Sequence, residues 1–438
     1  QTVNNCLLLL KWDYETLFKG LKNKSNLLFI LANTRALSAN NAQLRLEEIC
    51  LSLKYALDYL GFNKKEYIII SRGDSTLRGH NFLEPYIINK LLGPFDATFH
   101  IPAFIEGNRI TINGKHFVNN IPADETIFAK DEIFGFKTND IKELLYQKSN
   151  QKLNLNKIQN LNLNDLEILE TDKKNKVYKF IEGLKENSHV IVDSINYSYL
   201  DKFSSVIKQL SKNKRFLFRT AASFINSISE INNKKKEDLY YSQLRIKNIK
   251  NKFLSGLIVV GSSVNLTTLQ LNKILKIKIF KSIKLDVANF YTIYKSGDNF
   301  NQIKSLKKSI IHSIRLNLKQ EYIPVLFTSR EIISFDDKNE ALSFHNYLSL
   351  FIAEIVSELK FEIGYLISKG GLTSNTILSK GFNVNFVYLE GQILPGISLV
   401  TLSIQDYIKR FPIVTFPGNI GDETSLLKVL EVIENKNF

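Results

Sequence analysis

The chain has 438 residues, 44% hydrophobic and 23% charged, with a formal net charge of +15, two cysteines and no methionine. That size and mix suit about two or three domains with large cores and exclude disordered and fibrous classes. Runs such as Leu7 to Leu10 and Tyr67 to Ile70 fall far short of the roughly 20 residues a membrane helix needs. Cys6 and Cys50 can form neither a disulfide framework nor a zinc site, so a protein of the reducing cytoplasm with no membrane partner is expected. The lysines are dispersed and not interleaved with stacking aromatics, which fits a solvated face better than a nucleic-acid surface. The missing methionine argues against residue 1 as the translation start and leaves open whether methionines were dropped from the sequence.

Apolar runs of strand length alternate with helical patterns, the signature of βαβ units and mainly parallel sheets. Leu27 to Leu31, Tyr67 to Ile70, Val190 to Val192 and Phe216 to Phe218 are expected as buried strands. Leu46, Ile49, Leu53, Ala56, Leu57 and Leu60 recur at helical spacing, and Gly61 stands where a helix C-cap belongs. With the strands on either side they predict one strand–helix–strand unit. The Asn-, Lys- and Leu-rich stretch from Gln151 to Lys176 reads as an elaboration outside the core. The charged run Asn232 to Asp238 predicts a linker. Domains are therefore expected over 1–235 and 253–438, joined by a linker over 236–252. In the second, Leu257 to Val260, Ile323 to Phe327, Tyr365 to Ile367, Val384 to Leu389 and Ile413 to Phe416 are the strand candidates.

Ligands of open α/β sheets bind beyond the carboxyl ends of the strands, so the residues after each strand carry the functional signal. Arg35 follows the first. Ser71-Arg72-Gly73-Asp74-Ser75-Thr76-Leu77-Arg78-Gly79-His80 follows the second and is the densest polar cluster in the chain. Guanidinium groups beside a carboxylate and hydroxyls suit a small anionic polyol, although a capped turn with surface ion pairs has the same composition. Asn113-Gly114 predicts a hairpin turn. In the second half, Gly261-Ser262-Ser263, Gly370-Gly371-Leu372-Thr373 and Pro417-Gly418-Asn419-Ile420-Gly421 each follow a strand. Each alone also fits a structural turn, but three in one domain point to phosphate binding by backbone N–H groups. P-loop, GxGxxG, GxSxG and HExxH motifs are absent.

Asp74 to Gly79 resembles the DSTLRG signature of the four-carbon acid sugar kinases, a family once catalogued as a domain of unknown function. Pro102-Ala103-Phe104, Arg109 to Gly114, Glu125-Thr126 and Phe128 to Asp131 are similar to its later N-terminal motifs. Gly261-Ser262 with Thr267-Thr268, Thr328 to Glu331, Gly370 to Thr373, Pro395-Gly396 and Gly418 to Gly421 resemble those of its C-terminal domain. The resemblance implies two α/β domains with an interdomain active-site cleft, one domain holding an aldonic acid such as erythronate or threonate and the other ATP with Mg²⁺. It places the acid on Arg35, Asp74, Ser75, Thr76, Leu77 and Arg78, with Arg35 and Arg78 clamping the carboxylate and Asp74 orienting or deprotonating the attacking hydroxyl. It places the nucleotide on Ser262, Gly370, Gly371, Leu372, Thr373 and Gly418, names no metal-ligating side chain, and leaves a homodimer open. Three departures stand out. The family's opening Asp-Asp-x-Thr-Gly loop would lie before Gln1; Ser71 and Arg72 replace a common lysine; Phe416 and Pro417 stand near where another is frequent. A non-catalytic relative that binds sugar acid and nucleotide is the alternative reading, and a basic nucleic-acid-binding protein is a third.

Overall fold

The computed structural model describes residues 6–131, 134–229, 237–296, 300–331, 333–335, 338–404 and 410–438. The chain divides into two compact units, one formed by residues 12–22 and 30–233, the other by 1–11, 23–29 and 234–438.

The first unit is built on a five-stranded sheet in the order Ile69–Arg72, Phe216–Thr220, Ala97–Ile101, Ser188–Val192, Gln159–Leu161, with every neighbouring pair parallel. Its interior strands are buried on both faces, which explains why they read as unbroken apolar runs. Phe99, Phe203, Phe218 and Phe224 fill the core over the sheet. The expected helix spans Ala39–Tyr59 and starts at Ser38, whose side chain accepts from the Asn41 N–H. Gly61 follows its end at φ +74°, and Phe62 N–H donates back to the Leu57 carbonyl, so glycine supplies the left-handed residue of a Schellman-type stop.

Two expectations fail here. The strand Leu28–Ile30 does not share a sheet with Ile69–Arg72; it lies beside Cys6–Leu9 at the edge of the other unit's sheet. The two strands flanking the helix are thus not one strand–helix–strand unit, and the half-burial of Leu28–Ile30 fits an edge position. The Asn- and Lys-rich stretch is no elaboration, since it supplies the edge strand Gln159–Leu161 and buries Leu161, Leu166 and Leu169. Polar residues alternate with these leucines because an edge strand and a capped helix each need only one apolar side.

The second unit carries a nine-stranded sheet among the described residues. Its order is Phe280–Leu285, Ile323–Thr328, Leu257–Val260, Leu366–Lys369, Phe411–Phe416, Ile397–Leu402, Phe386–Leu394, Cys6–Leu9, Leu28–Ile30. The first five strands run parallel, and Phe411–Phe416, Ile397–Leu402, Phe386–Leu394 and Cys6–Leu9 pair antiparallel in turn. The chain enters the parallel part at Leu257–Val260, runs to the outer strand Phe280–Leu285, returns between the two as Ile323–Thr328, then crosses to Leu366–Lys369 on the other side. That reversal makes the carboxyl ends of these two neighbours a topological switch point.

The expected linker proves to be part of this unit. Residues 232–236 of the charged run lie outside the described residues, but Asp238–Gln243 is a helix whose Tyr241 is buried and donates through its hydroxyl to the Gln392 carbonyl. Arg245 forms a buried ion pair with Glu434 at 2.8 Å.

Candidate functional site

In the first unit the chain leaves Ile69–Arg72 into a loop locked by its own side chains. Gly73 N–H donates to Thr220 O, and Leu77 N–H to Asp74 O. Leu77 is held at φ +63°, a region that costs an ordinary L-residue about 1–2 kcal/mol. Its side chain is buried among Val118, Phe136, Ile141 and Leu144, and this packing offsets the strain.

Asp74 is the electrostatic centre. Its Oδ1 accepts from Thr76 N–H at 3.1 Å, and its Oδ2 meets Arg78 Nε and Nη2 at 3.0 Å and Arg35 Nη1 at 3.2 Å. Burial raises its pKa, but Arg78 and Arg35 outweigh this and hold the carboxyl below the usual aspartate value. Arg78 also donates to Thr76 Oγ1 at 2.9 Å, approaches Asp131 Oδ2 at 3.4 Å, and lies 4.9 Å over the Phe128 ring. Arg109 donates to Ser75 Oγ at 2.6 Å with Phe104 and Phe128 beneath it. The later N-terminal motifs therefore converge on the loop. Asn113 and Gly114, both at positive φ, form the predicted two-residue turn between Arg109–Ile112 and Lys115–Val118.

Two residues outside the motifs complete this cluster. His116 is fully buried; its Nε2 lies 2.8 Å from Ser75 O and its Nδ1 3.1 Å from Thr111 Oγ1. A carbonyl only accepts, so Nε2 carries the proton. Burial pushes the His116 pKa down to about 4 and keeps the ring neutral. Glu84, also buried, accepts from Thr34 Oγ1 at 2.9 Å, from Ser71 Oγ at 3.2 Å, and from Arg219. It thereby ties the turn carrying Arg35 to the strand exit.

The structure brings Arg35, Asp74, Ser75, Thr76 and Arg78 together, with Leu77 as the buried anchor. All three guanidinium nitrogens of Arg78 are engaged, by Asp74, Thr76 and Asp131. Arg72 differs: its side chain is exposed and makes no side-chain hydrogen bond or ion pair to another described residue, although Asp74, Arg219 and Arg35 act on it through space.

In the second unit three glycine segments leave adjacent strands at the switch point. Gly261 N–H donates to Lys369 O at 3.0 Å and Gly370 N–H to Phe416 O at 2.9 Å. Thr267 Oγ1 donates to Gly418 O at 2.9 Å and lies 3.1 Å from Ser262 Oγ. A β-carbon on Gly261 would stand 2.1 Å from Thr373 Oγ1, and one on Gly418 2.3 Å from Ser262 Oγ. Gly370, at φ +127°, needs glycine for its backbone alone. Ser262, Gly370, Thr373 and Gly418 thus form one interlocked cluster, while Gly371 and Leu372 are exposed beside it.

Two cations in this cluster are further findings. Lys369 is fully buried, donates to Pro417 O at 3.1 Å, and lies 3.6 Å from the Phe416 ring centroid. Arg330 donates to the Ser262 carbonyl. The sequence signal for Lys369 was a charged residue closing an apolar strand directly before Gly370-Gly371. No group of three or more His, Cys, Asp or Glu suited to a metal ion occurs among the described residues. Among these residues, too, no helix is long and apolar enough to cross a membrane.

A family model described as a sugar-binding N-terminal domain matches residues 3–228, and one described as a nucleotide-binding C-terminal domain matches residues 257–426. The chain belongs to the four-carbon acid sugar kinase family. Its solved neighbours share the fold of this family. A Salmonella typhimurium LT2 protein provisionally named a tRNA synthase matches with TM-score 0.71 and 13% identity over 98% of this chain and 92% of its own. A Haemophilus influenzae protein assigned to the domain of unknown function that once defined the family matches with TM-score 0.64 and 16% identity, over 99% and 95%. A Bordetella bronchiseptica protein of the same assignment, solved with bound citrate as a domain-swapped dimer, reaches a TM-score of 0.40 at 16% identity over 99% and 93%. No curated protein matches the chain significantly.

Proposed function

We propose that this member of the family is an ATP-dependent kinase that phosphorylates a hydroxyl of a small sugar acid, a four-carbon aldonate such as erythronate or threonate. The observation that carries the reading is the division of chemistry within one chain. An arginine- and hydroxyl-rich loop lies in the sugar-binding domain, and interlocked glycine exits lie at the switch point of the nucleotide-binding domain.

In this reading the acid's carboxylate meets Arg72 and Arg35, the guanidinium groups with donors to spare, while Arg78 fixes the loop that presents them. Ser75, Thr76 and the Asp74 carboxylate take the hydroxyls, and Leu77 sets the loop's shape. Phosphoryl transfer asks mainly for alignment and charge stabilisation, so Asp74 serves best by orienting the attacking hydroxyl; its lowered pKa makes it a poor base. Ser262, Gly370, Gly371, Leu372, Thr373 and Gly418 are proposed to hold ATP. No group of three or more His, Cys, Asp or Glu could hold Mg²⁺ among the described residues, so an ion here would be held chiefly by the nucleotide's phosphates and water.

One observation favours a non-catalytic binder instead: no carboxylate in the loop is free to act as a base, since Asp74 is ion-paired to two arginines. A screen for acid-dependent ADP release over four-carbon aldonic acids and related keto acids decides between them. Binding of both ligands without turnover would sink the kinase reading.

A further inference from the structure

The strand Leu366–Lys369 is buried along its whole length, yet it ends in a lysine. The Lys369 ammonium has three N–H donors; one reaches the Pro417 carbonyl, the Phe416 ring lies against it, and no ion-pair partner occurs among the described residues. The adjacent strand segments Leu257–Val260 and Phe411–Phe416 contain no titratable side chain. Burial pushes the ammonium down to about 7. Removing a cation from water without a counter-charge is strongly unfavourable. Arg330 shows the same imbalance nearby. Its Nη1 donates to the Ser262 carbonyl, but Nε and Nη2 are buried and without hydrogen-bond partners. Both cations therefore border Ser262, Gly370 and Gly418 with donors unused. A structural role alone would be met more cheaply by apolar side chains.

We propose that Lys369 and Arg330 are the charge-neutralising pair for the polyphosphate of the bound nucleotide, Lys369 acting from beneath the glycine segments and Arg330 from the loop after Ile323–Thr328. This rests on the reading of the domain as an ATP site. Lys369 need not touch the phosphates, because a charge in low-dielectric surroundings acts through space with little screening. It is a positioning and electrostatic residue whose charged form the bound polyphosphate would favour.

The test is calorimetric titration of the full chain with ATP, ADP, adenosine and tripolyphosphate, beside thermal unfolding without ligand, for wild type, Lys369→Met and Arg330→Gln. Methionine keeps the stem on Phe416 and removes the charge. The expected result for Lys369→Met is a loss of about tenfold or more in ATP affinity, a smaller loss for ADP, unchanged adenosine binding, and an unliganded melting temperature no lower than wild type. Arg330→Gln should show the same phosphate-graded loss, and it keeps the proposal testable if the buried variant does not fold. Equal losses for ATP and adenosine, or ATP affinity within twofold of wild type in both variants, would overturn the assignment. Wild type that binds tripolyphosphate but no adenine nucleotide would overturn the ATP reading while leaving an anion site on these cations.

Discussion

Asp74 and Arg78 hold each other through two contacts of 3.0 Å to one carboxylate oxygen, and the same oxygen meets Arg35 at 3.2 Å. The pair is largely shielded, with the side chains 14% and 12% exposed. Breaking such a pair leaves an uncompensated charge in place. Arg78→Ala should therefore cost about 3 kcal/mol of folding stability, read from urea unfolding, and lower turnover because the loop loses its shape. Since the folded Asp74 pKa is depressed, this contribution is complete above the ordinary aspartate value and disappears only as pH falls through the lower, folded value.

Arg72 should behave in the opposite way. Its side chain is exposed without a side-chain hydrogen bond or ion pair to another described residue, and the attraction of Asp74 is opposed by Arg219 and Arg35, so Arg72→Ala should shift stability by less than about 0.5 kcal/mol. Loss of a charge-assisted contact to a carboxylate should raise KM for the acid by roughly 10- to 100-fold, with KM for ATP unchanged. An unaltered acid KM would remove Arg72 from the site.

His116 gives the sugar-binding domain a pH signature. Its folded pKa of about 4 lies below the unfolded histidine value of about 6.5, so the unfolded chain binds the extra proton between them. The His116 contribution is complete above about pH 6.5 and falls by on the order of 3 kcal/mol as pH drops to 4. Buried His189, also pushed to about 4, adds to the slope. Chemical denaturation across this range should show stability falling with acid, and His116→Phe should flatten the slope by about one proton.

The glycine segments make a paired prediction. Gly418→Ala sets a β-carbon 2.3 Å from Ser262 Oγ and should lower both nucleotide affinity and the stability of the domain. Gly371→Ala meets nothing within 4 Å and should leave the melting temperature unchanged. Equal melting temperatures for both variants would show that the interlocking of Gly418 and Ser262 is not what shapes the site.

Much of this was legible in the sequence because strands buried on both faces read as apolar runs, and because strand exits concentrate polar residues at Arg72 to Arg78 and Gly370 to Thr373. What escaped was set by distant partners. Arg219 reaches Ser71 across 148 residues at 2.7 Å, and nothing local marks that contact. Tyr241 is buried against Gln392, so a charged flank concealed a helix that belongs to the sheet. The membership of Leu28–Ile30 depends on which sheet offers an edge, and periodicity carries no such information. The contacts of Arg78 with Asp131 and Phe128 likewise appear only when those residues fold back upon it.

The most direct test of the account is a mass-resolved assay of the full chain with ATP and a panel of four-carbon aldonic acids. ADP should form in proportion to an acid that gains one phosphoryl group, with Arg72→Ala requiring far more acid for the same rate. Saturable binding of acid and nucleotide with no phosphorylated product from any member of the panel would contradict it.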